Sequence, residues 1–216
     1  MELKIFILKI NCIITSIFSI NVILMIKKNL IFSKKINETI SNFVQLNNSK
    51  SFIQVENAEK LIFSGLNKKK KIIFCGNGGS AADSQHLTAE LVGQYLKKNR
   101  KAVPAISLTT NTSTITSVAN DLNYDHIFSR QLEAIGVPGD ILFCISTSGK
   151  SRNILKVLQK ANSMKIKTIL LTGKKNIKNK NINVQINVPS ERVDRIQEMH
   201  IFVGHFLCES IEKKFS

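Results

Sequence analysis

Two histidines, one glutamate and one glutamine carry most of the reactive chemistry legible in this 216-residue chain. His86 and Glu90 are four residues apart in an apolar-periodic stretch, so a helix there projects both side chains from one face. An imidazole nitrogen and a carboxylate oxygen at that spacing suit half of a divalent-metal site, with zinc an acceptable ion. The same pair also occurs as an ordinary surface hydrogen bond, and spacing alone does not separate the two. Gln197 and His205 follow in the last periodic segment, separated by about 12 Å of helix rise. One ion reaches both only if that helix begins irregularly, if His86 and Glu90 sit between them, or if a second subunit contributes. His86 and Glu90 therefore rank ahead of the other two as ligands. His200 falls on a different face from His205, and both it and His126 read as structural.

Two small-polar loops have a composition suited to an anion. Gly76-Asn77-Gly78-Gly79-Ser80 follows the apolar run IIFC and opens a helical stretch. Glycines at such a turn tolerate positive φ and let backbone N–H groups approach a ligand at the positive end of a helix. The loop is neither a GxGxxG fingerprint nor a Walker A loop, and a tight turn with no ligand is the competing reading. Ser146-Thr147-Ser148-Gly149-Lys150-Ser151 follows ILFCI in the same manner. Ser151 alone is explained as an N-cap, but the three hydroxyls before it exceed what capping needs, which points to a phosphate monoester.

These residues need a frame. Residues 33–66 place Ile36, Ile40, Phe43 and Val44, then Val55, Ala58, Leu61 and Ile62, at helical spacing with a polar break at 47–50, predicting two amphipathic helices. From Lys71 short apolar runs alternate with helical segments: 71–76, 105–108, 140–146, 167–172 and 184–188 as strands, with a closing helix over about 192–213. Continuous apolar strands alternating with helices predict an α/β, three-layer doubly wound sandwich on a five-stranded parallel sheet. Ligands bind such sheets beyond the carboxyl ends of the strands, where both loops fall.

The formal net charge of +16 suggests nucleic acid or an anionic membrane until it is divided. Lysine supplies 26 of the 31 basic groups, whereas phosphate and base recognition favour arginine. Residues 1–71 carry +8, 72–149 carry −1 and 150–216 carry +9, so the block with the best-organised motifs is neutral. Lys, Ile and Asn make up 78 residues, a bias that matches drift toward A/T-rich codons. Specific nucleic-acid binding is therefore not expected. Cys12, Cys75, Cys144 and Cys208 lack metal or redox spacing and read as small buried residues in a reducing compartment, the cytoplasm. Residues 3–26 are apolar enough to suggest a membrane anchor, but lysines and asparagines interrupt them. The expectation is that translation begins at Met25 and that residues 1–24 are upstream leader sequence.

The segments GNGGSAADSQHLTAELVGQY, VANDLNYDHIFSRQ, PGDILFCISTSGKS and DRIQEMHIFVGH, in this order and spacing, resemble the sugar isomerase (SIS) domain and specifically the phosphoheptose isomerases. The similarity runs from about Lys71 to Glu212 and more loosely back to residue 33, implying one SIS domain over 25–216 with a helical N-terminal region at 33–66. The resemblance implies a cytoplasmic homotetramer with sites at subunit contacts and one zinc per subunit on His86, Glu90, Gln197 and His205. The implied substrate is a phosphorylated seven-carbon sugar, contacted by Asn77, Gly78, Gly79, Glu90, Asn120, Asp121, Ser146, Thr147, Ser148, Ser151 and Gln197, with Asp194 near the reacting end. Sedoheptulose 7-phosphate would become D-glycero-D-manno-heptose 7-phosphate through a cis-enediol, with Glu90 as base and His205 as acid, to supply heptose for lipopolysaccharide. Lys150 stands where the family usually has Asn. The alternatives are a non-catalytic phosphosugar-binding or replication-initiator-binding SIS protein, which the presence of both Glu90 and His205 disfavours, and an isomerase of another phosphosugar.

Overall fold

The computed structural model describes Met25 and residues 27–215. Residues 1–24, expected to precede the start, lie outside the described residues. The chain divides between Val44 and Gln45 into two compact units. Helix α1 runs over 27–47 and, after a turn at 48–50, α2 covers Ser51–Asn67, the break falling in the polar stretch that predicted it. No helix among the described residues is long and apolar enough to cross a membrane.

The second unit contains the sheet. Strands β1 (Ile72–Gly76), β2 (Ala105–Ser107), β3 (Ile141–Ile145), β4 (Lys167–Thr172) and β5 (Val184–Asn187) pair in the order β2-β1-β3-β4-β5. Every pairing is parallel. Helix α3 (Gly79–Val92) connects β1 to β2, α4 (Thr112–Asp121), a 3-10 turn at Tyr124–His126 and α5 (Ile127–Ile135) connect β2 to β3, α6 (Arg152–Ser163) connects β3 to β4, and α7 (Val193–Phe215) follows β5.

Strands β1 and β3 are buried along their whole length, as central strands covered on both faces must be. Alternate residues serve opposite layers. Ile73, Cys75, Leu142 and Cys144 pack with Phe128 and Leu132 of α5 and Ile154, Val157 and Leu158 of α6. On the other face Phe74 and Phe143 lie 5.4 Å apart between ring centroids and meet Ile62 of α2, Leu87 and Leu91 of α3, and Leu207 and Ile211 of α7. Cys75 and Cys144, paired across the ladder, hold their Sγ atoms 3.5 Å apart as free thiols. Cys208 is likewise buried and free, and burial pushes its thiol up to about 12.

The strand order reverses direction between β1 and β3. Chain leaves β1 toward β2 on one side and leaves β3 toward β4 on the other, which opens a crevice at their carboxyl ends. Both small-polar loops lie at this switch point.

Candidate active site at the seam of two helices

Helices α3 and α7 pack side by side in the same direction. Gly79 faces Gln197, since a Cβ there would come within 2.4 Å of the Gln197 Nε2; two turns on, Gly204 faces Leu87, with a Cβ reaching 2.6 Å from the Leu87 Cδ1. This parallel register brings together residues far apart in sequence. His86 Nε2 lies 2.8 Å from His205 Nε2, so one ring donates to the other. His86 Nε2 is also 3.3 Å from Glu90 Oε1. Ligand atoms of His86, Glu90 and His205 all lie within 4.8 Å of one another. Two nitrogens and one carboxylate oxygen so clustered form a donor set that suits a divalent cation such as zinc.

Gln197 occupies the other end of the seam, its amide against the first residue of α3. With α7 helical from Val193 to Phe215, its backbone is about 12 Å of rise from that of His205. Asp83 lies on the same face of α3, one turn before His86, with Oδ2 buried and without a hydrogen-bond partner. Burial pushes its carboxyl above the ordinary value, and His86 draws it back only in part. The spacing of Asp83 from His86 is readable in the sequence; its burial is not.

At the switch point, Gly78 caps α3 with φ +57° and ψ −122°, a conformation closed to side chains. A Cβ on Gly76 would meet the Ser80 backbone oxygen at 2.5 Å, so this loop turns too tightly for anything but glycine there. Asn77 and Asn153 exchange two hydrogen bonds, Asn77 Nδ2 to Asn153 Oδ1 at 2.9 Å and Asn153 Nδ2 to Asn77 Oδ1 at 2.8 Å. Tyr124 adds a third, donating to Asn77 Oδ1 at 3.2 Å. The loop after β1 is thereby joined to the first turn of α6, directly after the serine loop. Neither Asn153 nor Tyr124 has a spacing that would have singled it out.

The loop after β3 folds on itself: Ser146 Oγ accepts from the Gly149 N–H at 3.2 Å and Ser148 Oγ from the Lys150 N–H at 3.2 Å. Ser151 stands at the N-cap of α6, but its hydroxyl makes no capping bond. A cleft of about 240 Å³ opens beside the loop, lined by Thr147, Ser148 and Lys150, by Lys174 and Lys175 after β4, and by Glu191. Three lysines against one glutamate make it a cationic basin.

The remaining expected contacts are more peripheral. Asn120 and Asp121 end α4, exposed, the Asn120 amide donating to Asp121 Oδ1 at 2.9 Å. Asp194 is exposed and ion-paired with Arg192, whose hydrogen bond holds the carboxyl below its ordinary value. His200, by contrast, is only 1% exposed on α7, and burial pushes its imidazole down to about 4 against a smaller contrary pull from the Thr172 backbone.

Comparison with known proteins accords with this geometry. The SIS domain family model matches residues 32–173. The chain is 50% identical over 161 residues to the phosphoheptose isomerase of Akkermansia muciniphila, spanning 74% of this chain and 85% of that protein. It is 48% identical over 157 residues to the phosphoheptose isomerase of Helicobacter pylori strain Shi470, spanning 72% and 81%. The solved phosphoheptose isomerase of Neisseria gonorrhoeae matches with a TM-score of 0.77 at 36% identity, over 84% of this chain and 96% of that one. The chain belongs to the SIS domain family and, within it, to the phosphoheptose isomerases.

Proposed function

We propose that the protein interconverts sedoheptulose 7-phosphate and D-glycero-D-manno-heptose 7-phosphate, supplying heptose for a surface glycan such as lipopolysaccharide. The observation that carries this reading is the meeting of His86, Glu90 and His205 across the α3–α7 seam, within 4.8 Å of one another. Aldose–ketose interconversion needs a base to take the proton from the carbon beside the carbonyl and return it to the neighbouring carbon, and a second group to move protons between the two oxygens. Glu90, with a side chain 20% exposed, is the base in this reading. His205, already hydrogen-bonded through Nε2, is the acid that serves the oxygens.

His86, Glu90 and His205 would hold the zinc, which when bound would polarise oxygen ligands as a Lewis acid; a carboxylate on zinc is a weak base, so Glu90 would take the proton only when it is off the ion. Gln197 carries two implied roles, and its amide beside Gly79 favours contact with substrate. Asn77, Gly78 and Gly79 present the amino end of α3, while Ser146, Thr147, Ser148 and Ser151 present hydroxyls at the start of α6; together they are the phosphate cradle. The free Ser151 hydroxyl supports that assignment. Asn120 and Asp121 would contact the sugar chain near Tyr124. In the same reading residues 25–216 form one SIS domain, the protein is a cytoplasmic homotetramer, and sites at subunit contacts complete the pocket.

The test is NMR observation of purified protein with sedoheptulose 7-phosphate, with and without added zinc. Product formation abolished by Glu90→Gln is expected. Ligand binding without turnover would refute the catalytic reading, and turnover of a shorter phosphosugar alone would refute the chain length.

A further inference from the structure

The imidazole of His205 has few restraints of its own. Its terminal torsion is broad and roughly twofold, unlike the staggered wells of aliphatic side chains, so the ring plane is set by neighbours. Two aromatic neighbours set it. His86 meets it edge-on, with centroids 5.0 Å apart and planes at 61°. Tyr95 stacks on it, with centroids 5.6 Å apart and planes at 18°.

Tyr95 belongs to the loop after α3, which is tied to α7. Glu212, two turns beyond His205 and 4% exposed, makes the tie. It accepts from the backbone N–H groups of Tyr95 at 3.3 Å and of Leu96 and Lys97 at 3.0 Å. The Arg100 Nε donates to it at 2.6 Å, and the side chain of Arg100 is fully buried. The same guanidinium donates to the Leu91 and Glu90 carbonyls, so the loop is anchored to the end of α3 as well. One helix therefore carries both the imidazole and the carboxylate that holds the stacking ring over it.

From this arrangement we infer that Tyr95 is a positioning residue for His205: its ring, fixed by the Glu212–Arg100 clamp, holds the imidazole plane in the orientation used by the reaction. The kinetic arm of the test rests on the isomerase reading above; the spectroscopic arm does not. Tyr95→Leu keeps apolar bulk and removes the ring, whereas Tyr95→Phe keeps the ring and removes the hydroxyl. In zinc-free protein, with His205 resonances assigned through His205→Gln, the NOE pattern between the ring protons of His205 and His86, which carries no ring-current contribution from Tyr95, is expected to change in Tyr95→Leu and to stay near wild type in Tyr95→Phe. Turnover is expected to fall about tenfold in kcat with KM within about twofold in Tyr95→Leu, the scale of one lost aromatic pair, and to be retained in Tyr95→Phe. An unchanged His205–His86 NOE pattern in Tyr95→Leu would overturn the proposal. So would an equal loss in both variants, which would assign the effect to the hydroxyl. If the unmodified protein shows no turnover, the isomerase reading fails and the NOE pattern alone decides the role of Tyr95.

Discussion

Removing the Glu212 carboxylate tests the buried clamp most directly. In Glu212→Ala the Arg100 guanidinium, now without exposure to solvent, keeps its carbonyl acceptors but loses its counter-charge. The N–H groups of Leu96 and Lys97 lie in exposed residues and recover water, so their share of the cost is small. The orphaned charge dominates, and breaking a buried pair from one side costs about 3–5 kcal/mol. Against a typical total of about 5–15 kcal/mol, that is a large fraction of the stability. At an m-value of about 2 kcal/mol/M the urea midpoint should fall by about 2 M, measured at fixed protein concentration. In a cycle of Arg100→Leu, Glu212→Leu and the two combined, the double variant removes both charges and should lose less than the sum of those two single losses by at least about 1 kcal/mol. Additive losses, or a single-variant loss below about 1 kcal/mol, would refute the reasoning.

Other consequences are as measurable. His200 has a folded-state value of about 4 against 6.5 unfolded, so the unfolded chain binds the extra proton between them; stability is complete above about pH 6.5 and declines as pH falls toward 4. Urea titrations should show about 2 kcal/mol lost between pH 7 and pH 5 from this group, and His200→Leu should flatten that slope. Gly204→Ala drives a methyl against the tip of Leu87, which is 1% exposed and must shift within the packed layer. The overpacking costs about 1–3 kcal/mol, offset in part by about 1 kcal/mol of helix propensity, and spreading the seam should lower kcat; Leu87→Val in the same chain should restore both by melting curve and turnover. Lys150→Asn should weaken phosphosugar binding about threefold at low salt and not at all at high salt by calorimetry; unchanged affinity at low salt would show the charge to be incidental.

The elements were legible from periodicity because their burial is locally patterned. The break between α1 and α2, the strands and the closing helix fall within a few residues of the apolar runs that predicted them. The first glycine loop and the serine loop were legible because a tight turn beside a helix start restricts residue type strongly. Pairings across elements were not legible. The parallel register of α3 and α7 depends on Gly79 and Gly204 allowing close approach, which no local spacing reveals. Glu212 reads in sequence as one more charge near a basic carboxyl end. Its role exists only because the loop after α3 folds back to give it four donors. Asn153 likewise looks like a polar residue in the first turn of a helix until Asn77 is seen opposite it.

That Asn77–Asn153 pair has a further meaning for ligand capture. Each amide satisfies the other as both donor and acceptor, so the two walls of the crevice are locked without help from solvent or substrate. A sugar phosphate arriving there need not order the loops first, and its binding energy remains available for distortion at the reacting carbons.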